Sequence, residues 1–154
     1  MKKKFSVLIN KKIQKFNNTI HIESDKSISH RSLLIASQCI GVSNLSDILE
    51  SEDVRNTIIC LKKLGVKIIK KNKKYIVYGN GLASFKRPKN NFLYAGNSGT
   101  LARMLFGLLG TQANLKVKIT GDSSLNKRDM KRIIEPLSKI GCCFYPKNKT
   151  TLPL

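Results

Sequence analysis

The sequence predicts an α/β fold built from repeated βαβαββ units, and three observations support this class. The stretch at residues 53–68 recurs 76 residues later at 129–144. Each copy starts with apolar residues at helical spacing, and a glycine follows the last of them, where helices commonly close. A short apolar run typical of a strand comes next in both copies. A chain of 154 residues is long enough to bury a core of its own.

The first copy spans about residues 21–80. The elements expected in it are helix 29–40, strand 44–48, helix 53–64, and strands 66–70 and 75–78. The first helix is apolar nearly all round, which is typical of a buried helix. We expect Gly41 and Gly65 to end the two helices, because glycine adopts the left-handed conformation that closes a helix.

The second copy spans about residues 91–154, after a polar loop at 86–91. The elements expected in it are helix 97–109, strand 115–120, helix 129–140, and strands 142–145 and 151–154. Gly110 and Gly141 are expected to end its helices. By the offset, Leu154 corresponds to Tyr78, so we expect the chain to stop inside the second strand of a hairpin. Repeat architectures need further units to cover exposed faces, which predicts a truncated second copy.

The charge balance leaves more than one class of protein open. A net charge of +20, from 29 basic and 9 acidic residues, fits a basic nucleic-acid-binding protein. Most of the basic residues, however, are lysines spread along the chain, and the few aromatic residues do not alternate with them as base stacking requires. A solvated, lysine-rich surface is the favoured interpretation. Nucleic-acid binding and a non-catalytic binding remnant are the alternatives.

The sequence lacks the features of membrane-spanning, secreted and metal-binding proteins. No apolar run approaches the roughly 18 residues that span a bilayer, and the apolar stretch at 5–9 is too short for a signal peptide. We therefore expect a cytoplasmic protein. The four cysteines form no C-x-x-C pair and there are only two histidines, so we expect no metal site and reduced, mostly buried thiols.

Three segments place polar and basic residues at expected helix starts. They are residues 25–31, residues 96–100 with Arg103, and residues 121–128. Free N–H groups and the positive end of the helix dipole make such positions natural anion sites. On the residues alone, N-terminal capping is still favoured over ligand binding at each segment. The sequence contains no P-loop, no G-x-G-x-x-G motif and no pair of carboxylates that stands out for acid–base catalysis.

Together the three segments resemble the 5-enolpyruvylshikimate-3-phosphate synthase family. The residues that carry the resemblance are Asp25-Lys26-Ser27-Ile28-Ser29-His30-Arg31-Ser32, Gly96-Asn97-Ser98-Gly99-Thr100 with Arg103, and Gly121-Asp122-Ser123-Ser124-Leu125 with Lys127-Arg128 and Met130. Their order and spacing make the resemblance specific, and it covers essentially the whole chain. The family pattern continues through a third repeat and a second lobe.

The resemblance implies a fold of two lobes, each an inside-out α/β barrel of three repeats with helices packed inside sheets. Residues 1–20 would then be a lead whose strand, at 5–9, joins the second lobe. Residues 21–154 would be an incomplete first lobe. The chain would thus be the N-terminal part of a larger enzyme and inactive alone.

The resemblance also implies a reaction in the shikimate pathway of aromatic amino acid biosynthesis, which leads to chorismate. The enolpyruvyl group of phosphoenolpyruvate moves to the 5-hydroxyl of shikimate 3-phosphate, with no metal and no organic cofactor. The acid–base residues would lie mostly in the second lobe, so no catalytic residue is expected in this chain. The complete enzyme is expected to be a monomer and a target of glyphosate.

The resemblance assigns substrates to six residues of this chain. Lys26, Ser27 and Arg31 would hold shikimate 3-phosphate, and Lys26 would also reach phosphoenolpyruvate. The residues expected to border the phosphoenolpyruvate site are Asn97, Gly99 and Arg128. Two departures stand out. Glu23-Ser24 replaces the family's Pro-Gly, and Asp129 replaces a proline beside Arg128, where its charge is expected to weaken anion binding.

Overall fold

The computed structural model describes residues 6–8, 10, 15, 17, 19–20, 22–113 and 115–154. Its elements in these residues are α1 Lys26–Gln38, β1 Ile40–Ser46, α2 Glu52–Lys63, β2 Lys67–Lys71, β3 Lys74–Asn80, β4 Phe92–Tyr94, α3 Gly99–Gly110, β5 Lys118–Thr120, a 3-10 turn Leu125–Lys127 and α4 Lys131–Lys139. The predicted α/β class and the four predicted helices are confirmed. The expected lead at 1–20 falls largely outside the described residues and stays a prediction; of its expected strand at 5–9, residues 6–8 are described and form no strand.

The first helix begins and ends earlier than the sequence pattern predicts. It starts at Lys26 because the Asp25 carboxylate accepts a hydrogen bond from the backbone N–H of Ile28, at 2.7 Å. It ends at Gln38, since Cys39 is already extended and Ile40 pairs with Asn80 of β3. Gly41 does have a positive φ of 101°, but it lies inside β1 and closes no helix. Pairing with β3 therefore draws Ile40, the last residue of the predicted helix, into the sheet.

The first copy forms an antiparallel sheet in the order β1-β3-β2. A tight turn joins β2 to β3, with Asn72 in the left-handed region at φ 55°. Helices α1 and α2 pack against each other, and α1 lies across β3. Gly65, directly after α2, has φ 90°, and Gly141, after α4, has φ 97°. The predicted role of these two glycines in closing the repeated helix is confirmed, and it is the same in both copies.

The second copy is a βαβ unit. Strands β4 and β5 are parallel and pair Leu93 with Ile119, and α3 makes the connection between them. Helix α3 packs against α4. Gly110 is the last residue of α3 and Thr111 is its C-cap, so the helix ends one residue later than predicted and Gly110 does not close it in the left-handed conformation.

The predicted hairpin at 142–145 and 151–154 is wrong. Residues 142–145 form no strand, and Phe144 instead packs edge-to-face on Phe106 with 5.5 Å between ring centroids. Leu154 exchanges two backbone hydrogen bonds with Ile119 of β5, at 2.6 and 3.0 Å. A physical reason lies in the sequence, because Pro146 and Pro153 have no N–H to donate to a regular ladder.

One continuous core runs through both copies. Its large, fully buried side chains come from all four helices or their flanks and from the sheets: Leu33, Leu61, Leu64, Leu93, Leu101, Leu105, Ile119, Leu125 and Met130. The expectation of mostly buried cysteines is wrong, because only Cys60 is buried among the four free thiols. Burial raises the pKa of Cys60 to about 11. Within the described ranges, no helix has the length and apolarity needed to cross a membrane.

Candidate substrate-binding site

The start of α1 carries the first group of predicted site residues. Capping is done by Asp25, so Lys26 and Ser27, in the first turn, keep their side chains exposed and free of that role. The Lys26 ammonium lies 2.9 Å from the Asp53 carboxylate of α2. The Arg31 guanidinium, one turn further on, donates to the backbone oxygen of Ser27 at 3.1 Å. Two cations and a hydroxyl therefore line one helix end.

The second group gathers where β4 leads into α3. Ser98 caps this helix by accepting from the backbone N–H of Leu101, which again leaves the predicted residue, Asn97, uninvolved in capping. The Arg128 guanidinium donates to Asn97 Oδ1 at 2.7 Å, and Asn97 Nδ2 donates to the Asp122 carboxylate at 2.7 Å. Asn97 thus orients Arg128 from one end of its amide and is held from the other.

Asp122 is fixed by the 3-10 turn that follows β5. Its Oδ1 accepts from the backbone N–H of Leu125 at 2.7 Å, while its Oδ2 accepts from Asn97. Both bonds lower the pKa of the Asp122 carboxyl, and the bond from the backbone N–H of Leu125 has the larger effect. Asp122 therefore remains ionised and gives the Asn97 amide a stable acceptor.

Gly99 is buried at the N-terminus of α3, facing two guanidinium groups. A Cβ at this position would lie 3.1 Å from Arg103 Nη1 and 3.3 Å from Arg128 Nη1. Arg103 also donates to the backbone oxygen of Asp129 at 3.4 Å. The absence of a side chain at Gly99 lets both guanidinium groups approach the helix start together.

Helix α2 connects the two groups. Asp53 holds Lys26 of the first group, and one turn later Asn56 lies directly against Gly96, beside Asn97. One turn further still, the Cys60 thiol contacts the backbone oxygen of Tyr94 at 3.4 Å, at the end of β4. One face of α2 thus contacts Lys26 of the first group and the segment beside Asn97 of the second.

The Asp129 carboxylate is held at the start of α4. Its Oδ1 accepts from the backbone N–H of Lys131 at 2.8 Å, at the start of α4. That bond and one with Thr150 lower its pKa, so the charge is already satisfied locally. Among the described residues, Arg128 makes no salt bridge with Asp129, and the expected weakening of anion binding finds no support in this geometry.

Sequence reasoning missed three contributors. It gave no role in the site to Asp53, to Asn56 or to the carboxylate of Asp122. The sequence offers one signal for the contact between α1 and α2. Lys26 and Asp53 are 27 residues apart, and so are His30 and Thr57, so two residues one turn apart on α1 match two residues one turn apart on α2. No three His, Cys, Asp or Glu side chains cluster as a metal site within the described part of the chain.

The family model for EPSP synthase (3-phosphoshikimate 1-carboxyvinyltransferase) matches residues 10–154. The chain belongs to the EPSP synthase family. A 3-phosphoshikimate 1-carboxyvinyltransferase of Caldicellulosiruptor bescii is 46% identical over 142 residues, which are 92% of this chain and 32% of the relative. One of Oenococcus oeni is 41% identical over 144 residues, 94% of this chain and 32% of the relative.

The solved structures give the same family. EPSP synthase from Acinetobacter baumannii matches with a TM-score of 0.80 at 37% identity, over 87% of this chain and 30% of that one. The EPSP synthase fold predicted from the motifs is thereby confirmed for this part. The chain spans about a third of the length of the relatives it matches.

Proposed function

We propose that this chain is the substrate-binding N-terminal part of a cytoplasmic 3-phosphoshikimate 1-carboxyvinyltransferase. The complete protein would move the enolpyruvyl group of phosphoenolpyruvate to the 5-hydroxyl of shikimate 3-phosphate and release phosphate. Family membership supports the reaction. The observation that carries the role of this chain is that Asp53 of α2 contacts Lys26, while Asn56, one turn on, lies against Gly96 beside the Asn97 that holds Arg128.

The charges of the two groups match the proposed substrates. Each substrate carries a phosphate and a carboxylate, and the two groups present exposed Lys26, Arg31 and Arg128. Arginine forms paired hydrogen bonds with both kinds of anion, and lysine supplies a point charge. Lys26, Ser27 and Arg31 would bind shikimate 3-phosphate, with Lys26 at the boundary. Gly99 and Arg128 would border phosphoenolpyruvate, and Asn97 would hold Arg128 in position.

The chemical step needs two proton transfers that these residues do not provide. Attack by the 5-hydroxyl requires loss of its proton, and the methylene carbon of phosphoenolpyruvate must gain one. The carboxylates of the site, Asp53 and Asp122, are engaged with Lys26 and with Asn97. We therefore assign binding and orientation to this chain, and proton transfer to the remaining two thirds of the protein.

Two measurements test the proposal. The 154-residue chain should release no phosphate from the two substrates, whereas a chimaera in which it replaces the matching third of the C. bescii relative should turn over. Rates on the order of 1 per second are typical of enzymes. Turnover by the chain alone would refute the division of roles, and a folded but inactive chimaera would refute the assigned reaction.

A further inference from the structure

Helices α1 and α2 meet through two polar pairs that lie one turn apart. In the outer pair, the Lys26 ammonium contacts the Asp53 carboxylate at 2.9 Å, with the Lys26 side chain half exposed. In the inner pair, His30 Nδ1 lies 2.6 Å from Thr57 Oγ1, and both residues are fully buried. Each helix contributes residues i and i+4, so the two pairs share one helix face.

In one arrangement both hydrogen atoms of the inner pair are used. Thr57 Oγ1 donates to the backbone oxygen of Asp53, 3.3 Å away, and keeps lone pairs for the imidazole. His30 then carries its proton on Nδ1 and donates it to Thr57, whereas a proton on Nε2 would be buried without an acceptor in the described part of the chain. Nε2 then holds a lone pair and, within the described part of the chain, has no hydrogen-bond partner although it is buried.

The outer pair is poorly suited to fix its own geometry. An ion pair with a half-exposed lysine gains little, because solvent screens it and the long side chain loses freedom. The inner pair lies in the interior, where a short hydrogen bond is stronger and its loss leaves a buried polar group unsatisfied. The charged groups nearest His30 are Asp53 on α2 and Lys26 and Arg31 on α1. The buried pair thus lies directly beneath the charged one.

We propose that His30 is a positioning residue, which acts through Thr57 to hold α1 against α2 in the register that brings Lys26 to Asp53. The proposed role of His30 in helix register is inferred from this geometry alone. Its consequence for substrate binding rests on the function proposed above. His30 itself touches no substrate in this view, because its ring is inaccessible from the site.

Side-chain NMR on the 154-residue chain tests the register without any substrate. The imidazole ¹⁵N spectrum should show the Nδ1-protonated tautomer, and a nuclear Overhauser contact should join the Lys26 ε-methylene to the Asp53 β-methylene. Thr57→Val keeps the shape but removes the acceptor, and it should abolish that contact. Thr111→Val is the matched control, because it removes a similar threonine bond, to Leu108, at the far end of α3.

Two substitutions of His30 keep the test decisive if Thr57→Val fails to fold. Asparagine can place an amide N–H where Nδ1 stands, whereas glutamine places it one bond further out. The proposal requires His30→Asn to retain the Lys26–Asp53 contact and His30→Gln to lose it. A contact that survives in both Thr57→Val and His30→Gln overturns the proposal, as does an Nε2-protonated tautomer.

Ligand binding gives the functional readout. Titration of the chain with shikimate 3-phosphate should show affinity about threefold to tenfold weaker for Thr57→Val, the range expected for one hydrogen bond, and unchanged for His30→Asn. Equal affinity of Thr57→Val and the wild type would remove the link to binding. If the wild type does not bind, the proposed function fails, while the NMR contacts still decide the register.

Discussion

Gly99→Ala should damage the site selectively. The added methyl group would lie 3.1 and 3.3 Å from the nearest nitrogen atoms of Arg103 and Arg128, closer than such contacts usually are. Both guanidinium groups would have to retreat, and the Arg128 bond to Asn97 would lengthen with them. Overpacking of this kind typically costs about 1–3 kcal/mol, which corresponds to roughly fivefold to a hundredfold in binding.

The assay is steady-state kinetics of the chimaera with the C. bescii relative. The Michaelis constant for phosphoenolpyruvate should rise, while that for shikimate 3-phosphate should change little. Inhibition by glyphosate, expected to compete with phosphoenolpyruvate, should weaken more than binding of the smaller substrate. Both effects follow from the position of Gly99 against two arginines, on the side proposed for phosphoenolpyruvate.

Gly107→Ala is the matched control on the same helix. An added Cβ there meets no atom within 4 Å. Alanine is the better helix former by about 0.8–1 kcal/mol, so this variant should be as active as the wild type and slightly more stable. If Gly99→Ala leaves both inhibition and the phosphoenolpyruvate constant unchanged, the placement of Gly99 beside that substrate is wrong.

Three further predictions follow from the charges. Arg128→Ala should weaken phosphoenolpyruvate and glyphosate together, by on the order of tenfold, because it removes a charged donor that both anions would use; the Michaelis constant and the inhibition of the chimaera measure this, and an effect on only one of the two ligands would contradict it. Burial lowers the pKa of His30 below 6.5, so the free energy of unfolding should be constant above about pH 6.5 and fall as the pH drops further, through the folded-state pKa. Urea unfolding from pH 7.5 to 5 measures this, and His30→Asn should remove the loss of stability in that window. The carboxyls with lowered pKa values, Glu50, Asp122 and Asp129, affect stability only below about pH 4.5. Binding of single-stranded DNA, measured by fluorescence anisotropy, should be weak and fall steeply with salt, because neutralised phosphates account for it; sequence-selective binding at physiological salt would revive the nucleic-acid alternative.

The elements were predictable where local chemistry decides them. The repeated helix and its closing glycine follow from spacing alone, and Gly65 and Gly141 adopt the same left-handed conformation. The end of α1 was not predictable, because Cys39 and Ile40 continue an apolar helical pattern, and only the pairing of Ile40 with Asn80 starts a strand there. The strand predicted at 142–145 is absent for a similar reason. The apolar pattern of these residues suits a strand, but Phe144 packs against Phe106 instead.

The sequence predicted which residue types form the candidate site, but not the hydrogen bonds that connect them. Motifs brought Lys26, Asn97 and Arg128 to attention, but nothing in the sequence says that Asn97 uses both ends of its amide within the protein. The contribution of α2 was invisible for a further reason. Asp53 and Asn56 are ordinary residues for a helix surface, and they gain a role only through what packs against them.

The unequal strand pairing of the two copies has a consequence for the order in which the protein opens. In the first copy, β1 and β3 pair over seven residues, whereas β4 and β5 pair over three. Amide hydrogens of the second copy should therefore exchange with solvent through smaller opening events than those of the first. Because the proposed site draws on both copies, a ligand that bridges them should slow hydrogen exchange most in the second copy, and substrate binding would then couple the opening of the two copies.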